Sequence, residues 1–182
     1  LDDAQLQGDR TARVAVIEYS DFQCPYCGRF ATVTLPEIRE RYVRTGKILW
    51  AFKHMPLERL HPLALGAAEA ADCAAEQDRF WPMHDYFFSH QDELDSNAAA
   101  KAIKLDLDRF TSCLTRGDVA RIRRSASAAG ALGITGTPSF FLGTLDKDGR
   151  LTARIRLTGA IGADAFGRSI DELLKQIASN AS

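Results

Sequence analysis

Cys24 and Cys27 are separated only by Pro25 and Tyr26. A Cys-x-x-Cys pair suits two kinds of chemistry: a dithiol that closes and opens as a disulfide, or half of a site for a soft metal such as Cu(I) or Zn. Zinc would require two further ligands. The other cysteines, Cys73 and Cys113, stand alone, with no second close pair and no nearby histidine at ligand spacing. Position favours redox work, because the pair follows a short apolar run and opens a helical pattern. The first sulfur then meets unpaired backbone N–H groups and the positive end of the helix dipole. Those groups favour thiolate over thiol at Cys24, making it both a nucleophile and a good leaving group. Cys27, one turn further in, is expected to be buried and protonated at rest, poised to attack a mixed disulfide. Pro25 suits a first helical turn, where its missing N–H has no acceptor to lose.

The elements that must hold this pair are legible around it. Arg13 to Tyr19 is a β-branched apolar run of the kind buried on both faces of a sheet. Phe30, Val33, Leu35, Ile38 and Tyr42 then recur at helical spacing until Gly46, with a bend expected at Pro36. Lys47 to His54 suits a second core strand, parallel to the first. From His61 to about Leu132 the residues favour helices: Ala64 to Ala75, Phe80 to His90, pieces around Ala98 to Leu105 and Leu107 to Leu114, and Asp118 to Leu132. Strand character returns at Ser139 to Leu142, and the turn residues Asp146 to Gly149 lead into the alternating Leu151, Ala153, Ile155 and Leu157. An amphipathic helix from Ala163 carries Phe166, Ile170, Leu173, Leu174 and Ile177 on one stripe. The pattern predicts an α/β fold interrupted by helices: residues 1–60 and 133–182 form the sheet domain, and 61–132 form the helical insertion.

Composition limits the partners. The chain has 182 residues, 46% of them apolar, with 23 basic and 24 acidic residues that leave a formal charge of -1. Such a balance gathers neither nucleic acid nor anionic lipid, and no window offers the roughly 18 uncharged apolar residues of a membrane span. The basic cluster Arg121, Arg123 and Arg124 reads as a solvated helix face. His54, His61, His84 and His90 share no ligand spacing. The first residue is Leu1, which is compatible with prior removal of a signal or anchor, and hence with a full-length chain tethered to a membrane.

The segment Glu18-Tyr19-Ser20-Asp21-Phe22-Gln23-Cys24-Pro25-Tyr26-Cys27 resembles the active-site segment of the DsbA-like thiol-disulfide oxidoreductases of the thioredoxin superfamily. Phe80-Trp81-Pro82-Met83-His84-Asp85 and Gly133-Ile134-Thr135-Gly136-Thr137-Pro138-Ser139-Phe140-Phe141 are similar to the same family, in the same order. The resemblance implies a thioredoxin fold with an inserted all-helical subdomain, acting without a cofactor or metal on cysteines of exported client proteins in the periplasm or another extracytoplasmic space. It also implies a cis Pro138 beside the active-site disulfide, with Thr137 offering its backbone to a client strand and Pro25 and Tyr26 beside it. Reoxidation would fall to a quinone-linked membrane protein of the DsbB or VKOR kind.

Glu18 is an acid inside an apolar strand, costly unless paired or neutral. The resemblance implies that it helps to move a proton from Cys27, and Lys53 is the counter-ion expected for it. Cys73 and Cys113, with 39 residues between them, are read on the even cysteine count as a structural disulfide that would stabilise the fold by about 3 to 4 kcal/mol in an oxidising compartment, the alternative being two separate buried thiols. The alternatives to disulfide donation are a reductase or isomerase of the same fold, and the soft-metal module. Isomerases of this group usually carry a dimerisation segment, which Leu1 to Ala12 is too short to supply, so a monomer is expected. Tyr26 brings no positive charge to a Cys24 thiolate, unlike the histidine of the most oxidising members, so a milder oxidant is expected.

Overall fold

The computed structural model describes residues 1–179 as a five-stranded mixed sheet with helices on both faces. The strands are β1 (Gln5–Gly8), β2 (Val14–Ser20), β3 (Leu49–His54), β4 (Ser139–Leu145) and β5 (Leu151–Thr158), in the order β1-β3-β2-β4-β5. Only β2 and β3 run parallel, which requires the helical crossover between them. That crossover is a continuous helical run: α1 (Pro25–Arg29), a π-helical turn at Phe30–Thr34, α2 (Leu35–Ile38) and a second π-helical turn at Arg39–Val43. Pro36 explains the first departure. It lacks an N–H and its ring would meet the carbonyl four residues back, so the turn before it widens and Leu35 N–H reaches Phe30 O.

Helices α3 (Ala64–Ala75), α4 (Phe80–Ser89), α5 (Ser96–Ala102), α6 (Leu107–Arg116) and α7 (Ala120–Ala131) lie between β3 and β4, and α8 (Ala163–Ser179) closes the described chain. This is the thioredoxin fold with a helical insertion. No helix among the described residues is long and apolar enough to cross a membrane.

The pleat sorts the core. Val14 and Val16 face the helical run and α8, packing with Phe30, Leu35, Ile38, Trp50, Phe140 and Phe166. Ile17 and Tyr19 face the other way, with Ala129 and Ile134 at the end of α7 and beyond it. A second cluster fills the insertion and reaches the cysteine pair. In it Phe22 stacks on Phe52 at 5.5 Å and lies 5.4 and 5.0 Å from Phe87 and Phe88. Cys73 of α3 and Cys113 of α6 are bonded to each other there, with their Cα atoms 5.7 Å apart.

The β4–β5 ladder slips register between Leu142 and Gly143, where the strands approach too closely for a side chain. A Cβ on Gly143 would fall on the Thr152 carbonyl oxygen, a backbone atom of the paired strand that cannot swing aside. Gly143→Ala is therefore expected to lower stability by about 1–3 kcal/mol or more, read as a shifted urea midpoint.

Candidate active site

The site is assembled where β2 gives way to α1, and Asp21 organises the turn. Its Oδ1 accepts the Gln23 N–H at 2.8 Å and its carbonyl accepts the Cys24 N–H at 3.1 Å. Its Oδ2 accepts the Leu57 N–H at 2.8 Å and lies 2.8 Å from His61 Nδ1, so the loop after β3 is tied to the same residue. Gln23 Oε1 accepts the Leu63 N–H at 2.7 Å. From the loop after α4, Gln91 donates its side-chain amide to the carbonyls of Phe22 at 2.7 Å and Cys24 at 2.9 Å. The local turn that Asp21 closes lies within the matched segment, but its hold on Leu57 and His61, and that of Gln91 on Phe22 and Cys24, join atoms brought near only by folding and leave no mark in the sequence.

Cys24 is the N-cap residue of α1, with extended backbone, and Pro25 occupies the first helical turn. Both cysteines are thiols in this structure. Cys24 Sγ lies 3.4 Å from the Thr137 carbonyl, to which its thiol donates, and the Thr137–Pro138 peptide bond is cis. The Cys24 pKa is lowered from its ordinary value to about 5. The largest cause is the hydrogen bond from the Cys27 thiol, which outweighs the desolvation that pushes the other way. The Thr137 hydroxyl and the backbone N–H groups of Cys27 and Tyr26 add to the lowering. Cys27 is completely buried and its thiol is held well above the ordinary range, first by desolvation and then by the neighbouring Cys24 sulfur. Two sulfurs one helical turn apart thus hold opposite protonation states at neutral pH. Pro25 and Tyr26 are exposed beside them. A cleft of about 250 Å³ opens along Thr135 to Ser139 and faces Arg156, Thr158 and Gly159.

Glu18 is fully buried, and burial lifts its pKa to about 7. Its partner is Trp50, whose indole N–H donates to Oε2 at 3.0 Å. Lys53 does not fill the role expected for it. The register pairs Lys53 with Tyr19 and Phe52 with Glu18, so alternation along the pleat sends the lysine to the opposite face. There Lys53 Nζ donates to the Asp2 carbonyl. Cys24, Cys27, Thr137 and Pro138 come together, with Glu18 deeper in β2, whereas Cys73 and Cys113 lie within the helical block. Among the described residues, no group of three or more His, Cys, Asp or Glu side chains is arranged to hold a metal ion.

A family model described as thioredoxin matches residues 2–154. The chain belongs to the thioredoxin family. Among solved structures, alpha-DsbA1 from Wolbachia pipientis superposes with a TM-score of 0.88 at 27% identity, covering 100% of this chain and 96% of that one. BdbD from Bacillus subtilis in its oxidised form shares the fold, with a TM-score of 0.79, 18% identity and coverage of 95% and 94%. This thioredoxin-family chain therefore carries the DsbA-like helical insertion. Among curated proteins, Na(+)/H(+) antiporter NhaA 3 from Salinispora tropica is 44% identical over 141 residues, which is 75% of this chain and 21% of that protein. A homologue from Salinispora arenicola, Na(+)/H(+) antiporter NhaA 1, is 41% identical over the same length. The chain spans about a fifth of the length of these curated relatives, so their antiporter name describes a much longer protein.

Proposed function

We propose that this chain is a thiol-disulfide oxidoreductase that donates disulfides to exported client proteins through a Cys24–Cys27 couple. The observation that carries the reading is the placing of Cys24 at the N-terminus of α1, beside the cis Thr137–Pro138 bond and the buried Cys27, which lowers the Cys24 pKa while that of Cys27 is raised. A client thiolate attacks Cys24 of the disulfide, and Cys27 leaves and takes up a proton. A second client thiolate then attacks the mixed disulfide, and Cys24 departs as a stable thiolate with the client now oxidised. A stabilised Cys24 thiolate favours the reduced enzyme, which is what makes a couple oxidising. Glu18, buried and poised near neutrality, is the acid and base that serves Cys27. Thr137 and Pro138 line the cleft in which an extended client segment lies, and the exposed Pro25 and Tyr26 meet it beside Cys24. The Cys73–Cys113 bond braces the insertion and takes no part in exchange. Electrons leave through a quinone-linked membrane oxidase of the DsbB or VKOR type, and the enzyme works as a monomer outside the cytoplasm.

Equilibration against glutathione tests the direction. The expected potential lies between about -270 mV, the thioredoxin value, and about -120 mV, the DsbA value: above the first because the Cys24 thiolate is stabilised, and below the second because Tyr26 lends it no positive charge. A potential at or below the thioredoxin value would make the enzyme a reductase and overturn the proposal.

A further inference from the structure

Three buried oxygens near Cys27 lack a hydrogen-bond partner; one, Thr137 Oγ1, is already placed beside Cys24, and two are left over. Ser20 Oγ and Glu18 Oε1 close no hydrogen bond with any described residue, although Ser20 is 1% exposed and Glu18 not at all. Buried polar atoms are nearly always paired, so two neighbouring orphans call for an explanation. They share a face of β2, two residues apart, on the side turned towards the helical run. Trp50 already holds Oε2, which leaves Oε1 as the free edge of the carboxyl group. The Ser20 hydroxyl lies within electrostatic reach of both the Glu18 carboxyl and the Cys27 thiol. A serine hydroxyl can donate and accept at once, as a relay requires.

We infer that Ser20 carries the proton between Cys27 and Glu18. This deepens the functional reading above and rests on it. In reoxidation, the Cys24 thiolate attacks the partner's disulfide to form a mixed disulfide and expel one partner sulfur as thiolate. Cys27 then gives its S–H proton to Ser20 Oγ while the Ser20 O–H proton passes to Glu18. The Cys27 thiolate bonds to Cys24 Sγ, the Cys24–partner bond breaks, and the second partner sulfur leaves with the electron pair. Two electrons move in all, from the enzyme dithiol to the partner disulfide. In client oxidation the proton runs back, from Glu18 through Ser20 to the Cys27 thiolate that the client expels.

The other ionisable groups bearing on this cluster are few. Cys24 lies beside Cys27, and Arg39 of the helical run acts by its charge on Glu18. His54, the register partner of Ser20 in β3, is engaged by Asp72 at 3.1 Å.

The test reacts the reduced chain with oxidised glutathione, traps samples in acid and counts the glutathione mixed disulfide by mass. In Ser20→Ala, release of glutathione by Cys27 is expected to slow about tenfold at pH 7 and to keep rising with pH where the unaltered chain levels off. Ser20→Thr is expected to restore both rate and profile, which a packing role for the hydroxyl would not do. Should the alanine variant fail to fold, Ser20→Gly takes its place. In the unaltered chain the release rate should bow downward with the fraction of D₂O, because two protons move together. A Ser20→Ala or Ser20→Gly chain with the ordinary release rate and profile, or a linear D₂O dependence, overturns the relay alone. An unaltered chain that forms no mixed disulfide overturns the functional reading as well.

Discussion

Cys24→Ala is expected to reduce thiol–disulfide exchange by ~10³-fold or more, since no other sulfur in the site can take its place as nucleophile. Cys27 is completely buried and protonated, and Cys73 and Cys113 are already bonded to each other. Cys27→Ser should behave differently. The remaining Cys24 keeps the Thr137 hydroxyl and the N–H groups that favour its thiolate, so it should still attack a client disulfide and then stop. Non-reducing gels of the Cys27→Ser chain incubated with oxidised clients should show adducts that disappear with reductant. An active Cys24→Ala chain, or a Cys27→Ser chain that forms no adducts, would remove the basis of the assignment.

The second large effect is a pH-dependent gap between the stabilities of the two redox forms. Folding lowers the Cys24 pKa from 9.0 to about 5, so its contribution is complete above the unfolded value and is lost as pH falls through the folded one. At pH 7 about half of the linkage is in force, ~3 kcal/mol, which partial access to solvent reduces to about 2 kcal/mol. The oxidised chain has no such thiolate. Glu18 works in the opposite sense, because its raised pKa costs stability as pH rises from 4.5 towards 7, but it is present in both redox forms and largely drops out of their difference. Urea unfolding of both forms at pH 5 and pH 7 should therefore show the reduced form gaining about 2 kcal/mol on the oxidised form over that interval. A constant difference would mean that the Cys24 thiol is not ionised at neutral pH.

Much of this arrangement could be read from residue order. β2 declares itself by a β-branched run that tertiary contacts only reinforce, and α3 by an alanine-rich stretch with its charges on one side. The cysteine pair is legible because its chemistry is local: cap, proline and first turn all lie within four residues. What escaped depends on pairing. Gln5–Gly8 is polar, ends in glycine and has no strand pattern, and it becomes β1 only by lying antiparallel against β3. The partner of Glu18 could not be chosen without the β2–β3 register, which places Trp50 on the right face and Lys53 on the wrong one. His61 shares no spacing with the other histidines, yet folding sets it against Asp21. The π-helical turns are invisible for a similar reason, since a widened turn shifts the spacing of apolar residues by less than a sequence pattern resolves.

That first strand matters beyond the sheet. Trp81 of α4 donates its indole N–H to the Leu6 carbonyl at 3.0 Å, and Gln7 accepts from Arg39 Nε at 2.9 Å. Arg39 in turn grips Asp85 of α4 through two bonds of 2.8 and 3.0 Å. β1 is thus a splint bound at once to the sheet edge, the crossover and the insertion. For the two halves to swing apart like a jaw, all of these ties would have to part together. Under the function proposed above, with these ties holding the two halves together, accommodation falls to the visitor: a polypeptide still supple enough to bend would follow the rim down to the sulfur, and one already set in its final shape would not.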